Sequence, residues 1–382
     1  MPTLGLLFFL LLLSLWDIYL PSLGIRPLDF LMLFVIGLKV VWDLTGKNFY
    51  HIKSDQLTIY SFLGFWCVGY SVVGLVDSID NLKPVVGFIL GYLVFGFFYF
   101  TRINRQSILY CISFIIVVHV CYFILQMAYY YISGEVLNIY GGFGLEPRAL
   151  SSIFRPTGLY LEPASYAVSM LMLLALRALF LDKPDALFYV AIGTVVLSLS
   201  IWGILASSIF LLFAVRASPL VILSILVGLV LCVILFSDNQ FIISIFDAFF
   251  FPRIQDFGND NSAVDRYGGL MDLMNLSWNS IFGMGVSNEY HIFGSSGLSF
   301  IVAAGGLVGL IIFLSLLALL NQGSQVFIKL ALLVIFLTAA PMWNTFFWWS
   351  WLALYVKAVP SFDLCRLKSN FKKIESLRVN IV

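Results

Sequence analysis

Four arginines, Arg148, Arg155, Arg253 and Arg266, stand in the two longest stretches between apolar runs, and no lysine accompanies them there. A guanidinium is a planar fork that stays charged and grips phosphate oxygens through paired hydrogen bonds; lysine would serve solubility equally well. The arginine-only composition points to anion recognition, with pairing to loop carboxylates or lipid headgroups as the bland alternative. Acid–base chemistry needs a second kind of group. Glu162 stands directly before Pro163, at the start of an apolar run. It reads either as a cap complementing a helix dipole or as a base beside an acceptor hydroxyl. His291 follows in a polar stretch before a later apolar run, and a lone histidine is more often structural than chemical. The same stretches hold no Asp-x-Asp pair and no histidine cluster. They predict chemistry without a metal or other cofactor, arginine supplying the positive charge.

The elements that must hold these groups are almost entirely apolar. Of 382 residues, 61% are hydrophobic and 11% charged, where a soluble domain carries about 25% charged residues. A soluble surface needs polar cover that this composition does not supply. The chain is therefore expected to be an all-α, polytopic integral membrane protein. A spanning helix needs about 20 mostly apolar residues, fewer where neighbours shelter it. Such runs lie near 4–21, 28–42, 57–76, 84–100, 108–132, 163–181, 186–200, 202–216, 219–236, 298–320, 325–340 and 343–358. They predict about twelve transmembrane helices in one membrane domain over 1–360, then a basic tail over 361–382. The seventh and eighth runs are short and joined at Ser200-Ile201-Trp202, so broken or tilted helices are open there. The first run has no basic residue before it and no small-x-small site after it, and reads as a retained span, not a signal peptide.

Charge placement orients this map. With the N-terminus inside, 15 of the 21 lysines and arginines fall on the cytoplasmic side, leaving Arg26, Lys83, Arg148, Arg155, Arg253 and Arg266 outside. That bias follows the positive-inside rule and places both termini in the cytoplasm, the basic tail on anionic lipid. The net charge of +1 says nothing about partners, and no nucleic-acid partner is expected. The two long loops, near 133–162 and 237–297, both fall outside, and exposed loops of that size are usually functional. Cys67, Cys111, Cys121, Cys232 and Cys365 are scattered without ligand spacing and read as small buried residues, not a disulfide framework or a zinc site.

Within the first loop, Arg155-x-x-Gly158 leads into Glu162-Pro163 and Ala167, with Arg148 ten residues before Gly158. Within the second, Val264, Tyr267, Met271, Met274 and Trp278 recur at helical spacing beside Arg266, which predicts an amphipathic helix on the membrane face. The chain then turns at Phe282-Gly283-Met284-Gly285. Gly87 with Gly91, and Gly305 with Gly309, are small-xxx-small pairs that permit close helix approach. Inside the spans the clearest ionisable groups are Asp17 and His119, the latter expected to bond Gln126 or a nearby carbonyl.

These motifs, in this order, resemble those of the O-antigen polymerase and O-antigen ligase superfamily, over roughly residues 140–340 and more loosely over the whole topology. The Ser198-Leu199-Ser200-Ile201-Trp202-Gly203 turn is similar to a further superfamily feature. The resemblance implies a GT-C-like fold in a bacterial inner membrane, acting at the periplasmic face on undecaprenyl-pyrophosphate-linked oligosaccharide. It implies that Arg155 and Arg266 contact the pyrophosphate, with Arg148 and Arg253 as further candidates, and a chain-length regulator as partner. The Glu162-Pro163-Ala164-Ser165-Tyr166 form looks more like the polymerases, Wzy type, than the ligases. Ligase-like members place a histidine about eleven residues before the Gly-Leu-Ile-Gly turn; Ser295 stands there and His291 four residues earlier, which leaves the base open between Glu162 and His291. The rivals are a ligase that moves glycan to lipid A core and, from another class, a flippase or transporter, which would carry midplane ionisable groups and paired broken helices.

Overall fold

Long apolar runs in lipid leave the backbone one local way to satisfy its own polar groups, the α-helix. The computed structural model of the chain describes residues 33–34, 36–37, 54–101, 103–139, 154–181, 184–214, 278–286, 297–320 and 346–358. Among the described residues the secondary structure is helical, with no strand. Three helices are long and apolar enough to cross a bilayer. They are α1 (Ser54–Asp77), α2 (Leu82–Phe100, entered through one 3-10 turn, Ile79–Asn81) and α3 (Arg105–Ser133). At 1.5 Å per residue they measure roughly 36, 29 and 43 Å, against a hydrocarbon core of about 30 Å. The expected spans 57–76, 84–100 and 108–132 coincide with them to within three residues. Then come α4 (Pro163–Ala178), α5 (Ala186–Leu197), α6 (Ile201–Ala214), α7 (Trp278–Phe282), α8 (Gly297–Leu320) and α9 (Phe346–Ala358). The expected spans 4–21, 219–236 and 325–340, and most of 28–42, lie outside the described residues, as does the tail 361–382.

The two short runs, left open as broken or tilted helices, are helical close to the expected bounds. The run 186–200 forms a helix of 12 residues, roughly 18 Å long and short of a full crossing, and the run 202–216 is helical over Ile201–Ala214, the last of its described residues. They fold back on each other as a hairpin: Phe188 near the start of α5 meets Phe210 near the end of α6, ring centroids 5.5 Å apart. The reversal is local. Ser198 Oγ donates to the Val195 carbonyl at 2.7 Å, and Leu199 takes the left-handed conformation at φ 52°. That conformation ends a helix, and a side chain bears it at a cost glycine would not.

One expected span differs from what is found: α8, expected as a continuous span over 298–320. Gly306, at φ 57° and ψ −157°, breaks it. The break frees carbonyls that the Gly283–Val286 segment uses: Met284 N donates to Ala303 O at 2.9 Å and Gly285 N to Ala304 O at 3.0 Å. On the other side, Val286 N donates to Tyr70 O of α1 at 3.1 Å. A Cβ on Gly285 would strike the backbone of Gly74, and one on Gly306 would lie 2.5 Å from the carbonyl of Ile281. Gly305 and Gly309 both pack under the Tyr70 ring, as a close-approach pair should. Of the other pair only Gly91 does so, beneath Trp349, while Gly87 faces open space.

Where the surroundings are as apolar as the side chains, association rests on packing and hydrogen bonds, not on expulsion of water. The centre is aromatic. Trp348, Trp349 and Trp351 of α9 are buried, Trp349 edge-on to Phe88 of α2 at 5.4 Å and Trp351 Nε1 donating to Met172 O of α4 at 2.8 Å. Thus α9 lies between α2 and α4. Cys67 and Cys111 are buried free thiols as expected; Cys121 is exposed. Outward faces are apolar too: Phe65, Val76, Tyr110 and Ile132 are 73–86% exposed. In water such rows would form sticky patches; against lipid they are ordinary surface.

The charged residues sort to opposite ends of the helices. At one end Arg177 of α4 pairs both terminal nitrogens with Asp185, at 2.6 and 2.5 Å, and its Nε with Ser113 Oγ of α3 at 2.9 Å. Arg105 donates to Leu179 O at 3.0 Å, and Lys357 donates to Thr101 O. At the other end lie the Gly134 terminus of α3, the Glu162 start of α4 and the hairpin tip.

Two outcomes follow. Gly306→Ala is expected to lower thermal stability in detergent by about 2 kcal/mol or more, combining left-handed strain with a backbone collision. Gly87→Ala, on a helix facing open space, is expected to be neutral or to stabilise by up to ~1 kcal/mol. The Arg177 guanidinium, with help from the Phe188 amide, holds the Asp185 carboxyl below its ordinary value. Such a contribution is complete above the unfolded value and disappears as pH falls through the folded one. The thermal midpoint should therefore decline below about pH 4, and Asp185→Asn should flatten that part of the profile.

Candidate functional site

The stretch Arg155–Glu162 was expected as the end of an exposed loop. Its middle is instead buried: Pro156 through Tyr160 are inside the helix bundle, with Arg155 and Glu162 half-buried at either end. A non-helical segment in such surroundings needs partners for its backbone groups. Gln126 of α3, buried itself, supplies them. Its Oε1 accepts from Thr157 N at 2.9 Å and from Gly158 N at 3.0 Å. Its Nε2 donates to Thr157 Oγ1 at 3.4 Å and to Leu137 O at 3.2 Å. His119 was expected to meet Gln126 or a carbonyl; its ring stacks on Tyr160 of the segment, centroids 5.2 Å apart.

The residue types of the stretch have steric reasons. Gly158 is left-handed at φ 59°, and a Cβ there would lie 2.7 Å from the Tyr166 ring. Pro163 fills the first position of α4, where its missing N–H costs nothing. Tyr166 stacks on Phe123 of α3 at 4.9 Å and donates from its hydroxyl to Thr194 Oγ1 of α5 at 2.7 Å. Ala167 touches the space over Gly203 of α6, where a Cβ would come within 2.7 Å. The first turns of α4 therefore clamp the hairpin tip beside them.

Arg155 reaches that tip. Its Nε donates to the carbonyl of Ser198 at 3.4 Å, the last residue before the reversal. A cation suits the carbonyl end of a helix, so the contact both completes α5 and orients the guanidinium. The preceding Phe154 stacks on Tyr130 of α3, centroids 3.9 Å apart. Glu162 holds the N-cap position of α4, and its carbonyl accepts from Tyr166 N at 3.1 Å, but its carboxylate makes no cap hydrogen bond. The cap reading of Glu162 thus reduces to charge near a helix start. Arg155 and Glu162 are brought to one end of the bundle, both beside α4 and the hairpin tip. Arg148, Arg253, Arg266 and His291 lie outside the described residues, and of the expected amphipathic stripe only Trp278, opening α7, is described. Among the described residues no group of histidine, cysteine and carboxylate side chains is placed to hold a metal ion.

Neither protein-family models nor curated proteins match this chain. The sequence pointed to Gln126 only as a partner for His119 and not to the roles of Tyr166 and Thr194. Gln126 is a lone carboxamide in an apolar run, but while Leu137 is 11 residues away, Thr157 and Gly158 lie 31 and 32 residues along the chain. Gly158→Ala should meet both the left-handed penalty and the Tyr166 ring. A loss of about 1–2 kcal/mol or more in detergent stability is expected, measured against Gly193→Ala, whose added methyl meets nothing within 4 Å.

Proposed function

We propose that the chain is a glycosyltransferase that polymerises undecaprenyl-pyrophosphate-linked oligosaccharide repeat units, of O-antigen or capsule, at the periplasmic face of a bacterial inner membrane. The observation that carries the reading is the placement of Arg155. It leans on the Ser198 carbonyl at the hairpin tip, at the Glu162 end of the helices, opposite the end where Arg105, Arg177 and Lys357 are engaged. The twelve-span, GT-C-like architecture with cytoplasmic termini belongs to the same proposal, and so does a chain-length regulator as partner.

The chemistry follows from what is available outside that membrane. Nucleotide sugars are absent there, so the donor must be lipid-linked and pyrophosphate must leave. A hydroxyl oxygen of the newly arrived unit attacks the anomeric carbon of the growing glycan. The bond from that carbon to the pyrophosphate oxygen breaks, and its electron pair stays on the leaving group. The hydroxyl proton passes to Glu162 or, as second candidate, His291. Guanidinium forks of Arg155 and Arg266, with Arg148 and Arg253 nearby in the loops, stabilise the charge that builds on the diphosphate. A preorganised donor of this kind is typically worth ~3–4 kcal/mol. No metal or cofactor is needed by this scheme.

A second reading, movement of lipid-linked oligosaccharide across the bilayer, is favoured by the break at Gly306 and the short α5, because transporters often use interrupted helices at their sites. One experiment addresses both. In a deletion strain complemented with variants, Arg155→Ala and Arg266→Ala should reach the membrane yet lose long glycan chains, a fall of roughly 100–1,000-fold in transfer. Arg155→Lys should recover only part, because the fork is gone. Normal chain length in both alanine variants would overturn the pyrophosphate role. Loss of even single-unit glycan, with labelled lipid-linked oligosaccharide trapped inside, would favour transport, and bare core with polymer still on its carrier would favour a ligase.

A further inference from the structure

We infer that Gln126 is the positioning residue of this site, one buried carboxamide that ties together both stems of the first loop and so sets where Arg155 and Glu162 stand. The assignment rests on the reading of Arg155 as a pyrophosphate ligand. A carboxamide has one oxygen with two lone pairs and one nitrogen with two hydrogens. Gln126 uses all four: the oxygen takes the amides of Thr157 and Gly158, and the nitrogen gives to Thr157 Oγ1 and to Leu137 O. Two backbone N–H donors aimed at one side-chain atom also fix which atom is the oxygen.

Leu137 follows α3 closely and Thr157 precedes α4, so a single side chain holds the loop where it departs and where it returns. The grip is reinforced from the same helix. Tyr122 OH donates to Leu137 O at 3.3 Å, and Tyr130, one turn past Gln126, stacks on Phe154. Arg155 is two residues before Thr157, and Glu162 is four after Gly158. With Tyr160 stacked on His119 and Gly158 set against Tyr166, little slack remains between carboxamide and functional groups. Burial of a polar group is costly unless it is fully bonded, and a purely apolar helix would not carry one at this depth. The consequence is that Gln126 touches no substrate but governs the geometry of two groups that do. A shift of about 1 Å in a reacting constellation costs roughly 100-fold in rate.

The test uses the full-length protein in lipid nanodiscs and Gln126→Met, which keeps length and volume but makes none of the four bonds. Hydrogen exchange across 155–161 should quicken at least about tenfold while α4 over 165–176 is unchanged. Undecaprenyl pyrophosphate, used alone as the probe, should bind roughly tenfold or more weakly, and complemented cells should make shortened chains. Tyr110→Phe, an exposed side chain elsewhere on α3, should match wild type in binding and chain length. The inference is overturned if Gln126→Met loosens 155–161 yet leaves binding and chain length intact, or if exchange there does not change. Should Gln126→Met fail to accumulate, Gln126→Glu replaces it. The carboxylate retains the acceptor for Thr157 and Gly158 but withdraws the donor from Leu137, so exchange should rise at 134–139 and stay slow at 155–161. Loss of protection at both would count against the assignment. Arg155→Ala in parallel separates the two ideas: if it binds undecaprenyl pyrophosphate like wild type, the functional reading fails whatever Gln126 does.

Discussion

Backbone amides and carbonyls that leave helical geometry inside an apolar bundle have no water to turn to, and each one must be matched by the protein. The described part of this chain meets that condition at two places by two different means. At 157–158 a side chain does it, the Gln126 oxygen accepting two consecutive amides. At 284–286 backbone does it, through the carbonyls that the break at Gly306 leaves available and the Tyr70 carbonyl of α1. In the first, the end of a long loop is drawn among the helices, and in the second a stretch within one, which gives each a fixed point. Charge-bearing residues upstream of such a point inherit its position, and Arg155 is two residues from one.

The second condition is steric. Backbone can enter a packed interior only where side chains vanish, and the close approaches here fall on glycine: Gly74 against Val286, Gly285 against Gly74, Gly306 against Ile281, Gly158 under the Tyr166 ring. Among the described residues, four of the five glycines with positive φ belong to these segments or to the helix break that receives one. The exception among the described non-glycine residues, Leu199, sits at the hairpin tip that Arg155 contacts. A branched hydrophobic residue held there in the left-handed region costs about 1–2 kcal/mol. Strain of that kind persists where surroundings dictate it, and here Tyr166–Thr194 and Ala167–Gly203 pin the hairpin on both sides of the tip.

Hydropathy made α1, α2 and α3 legible almost to the residue, because a run of apolar residues as long as the bilayer is thick has no other stable form. The break in α8 was not legible: Gly305, Gly306 and Gly309 look alike in sequence, yet two pack under Tyr70 and one leaves the helix. Which glycine does which depends on what arrives from elsewhere in the chain. The hairpin was half legible. Its shortness was visible in 186–200 and 202–216, but its direction is decided by the contact of Phe188 with Phe210, across the turn. At the site, residue type exposed Arg155 and Glu162, since charge is conspicuous in an apolar chain. The segment between them reads as exposed loop because it lies in the long gap between two apolar runs, and Pro156, Thr157 and Gly158 are residues common in turns. Turn chemistry gives local conformation and is silent on depth, and depth was set by Gln126.

Two arginines show how the same side chain is put to different ends. Arg177 spends Nε on Ser113 and both terminal nitrogens on Asp185, at 2.5–2.9 Å, and is itself buried. Every edge of its fork is occupied and its charge is matched, so it acts as a staple between α3, α4 and α5. Arg155 contacts the carbonyl of Ser198 through Nε. A carbonyl is a neutral acceptor, so this contact orients the guanidinium through a helix-end dipole and not through a counter-charge. In the proposed function, an arginine oriented near a helix end meets an anion with little reorganisation, which is the property that makes an electrostatic contribution to a transition state large. The Arg177 end of the bundle is held by a matched ion pair, and the Arg155 end by a guanidinium set against the last carbonyls of a helix, so the same side chain joins helices by charge at one end and by dipole at the other.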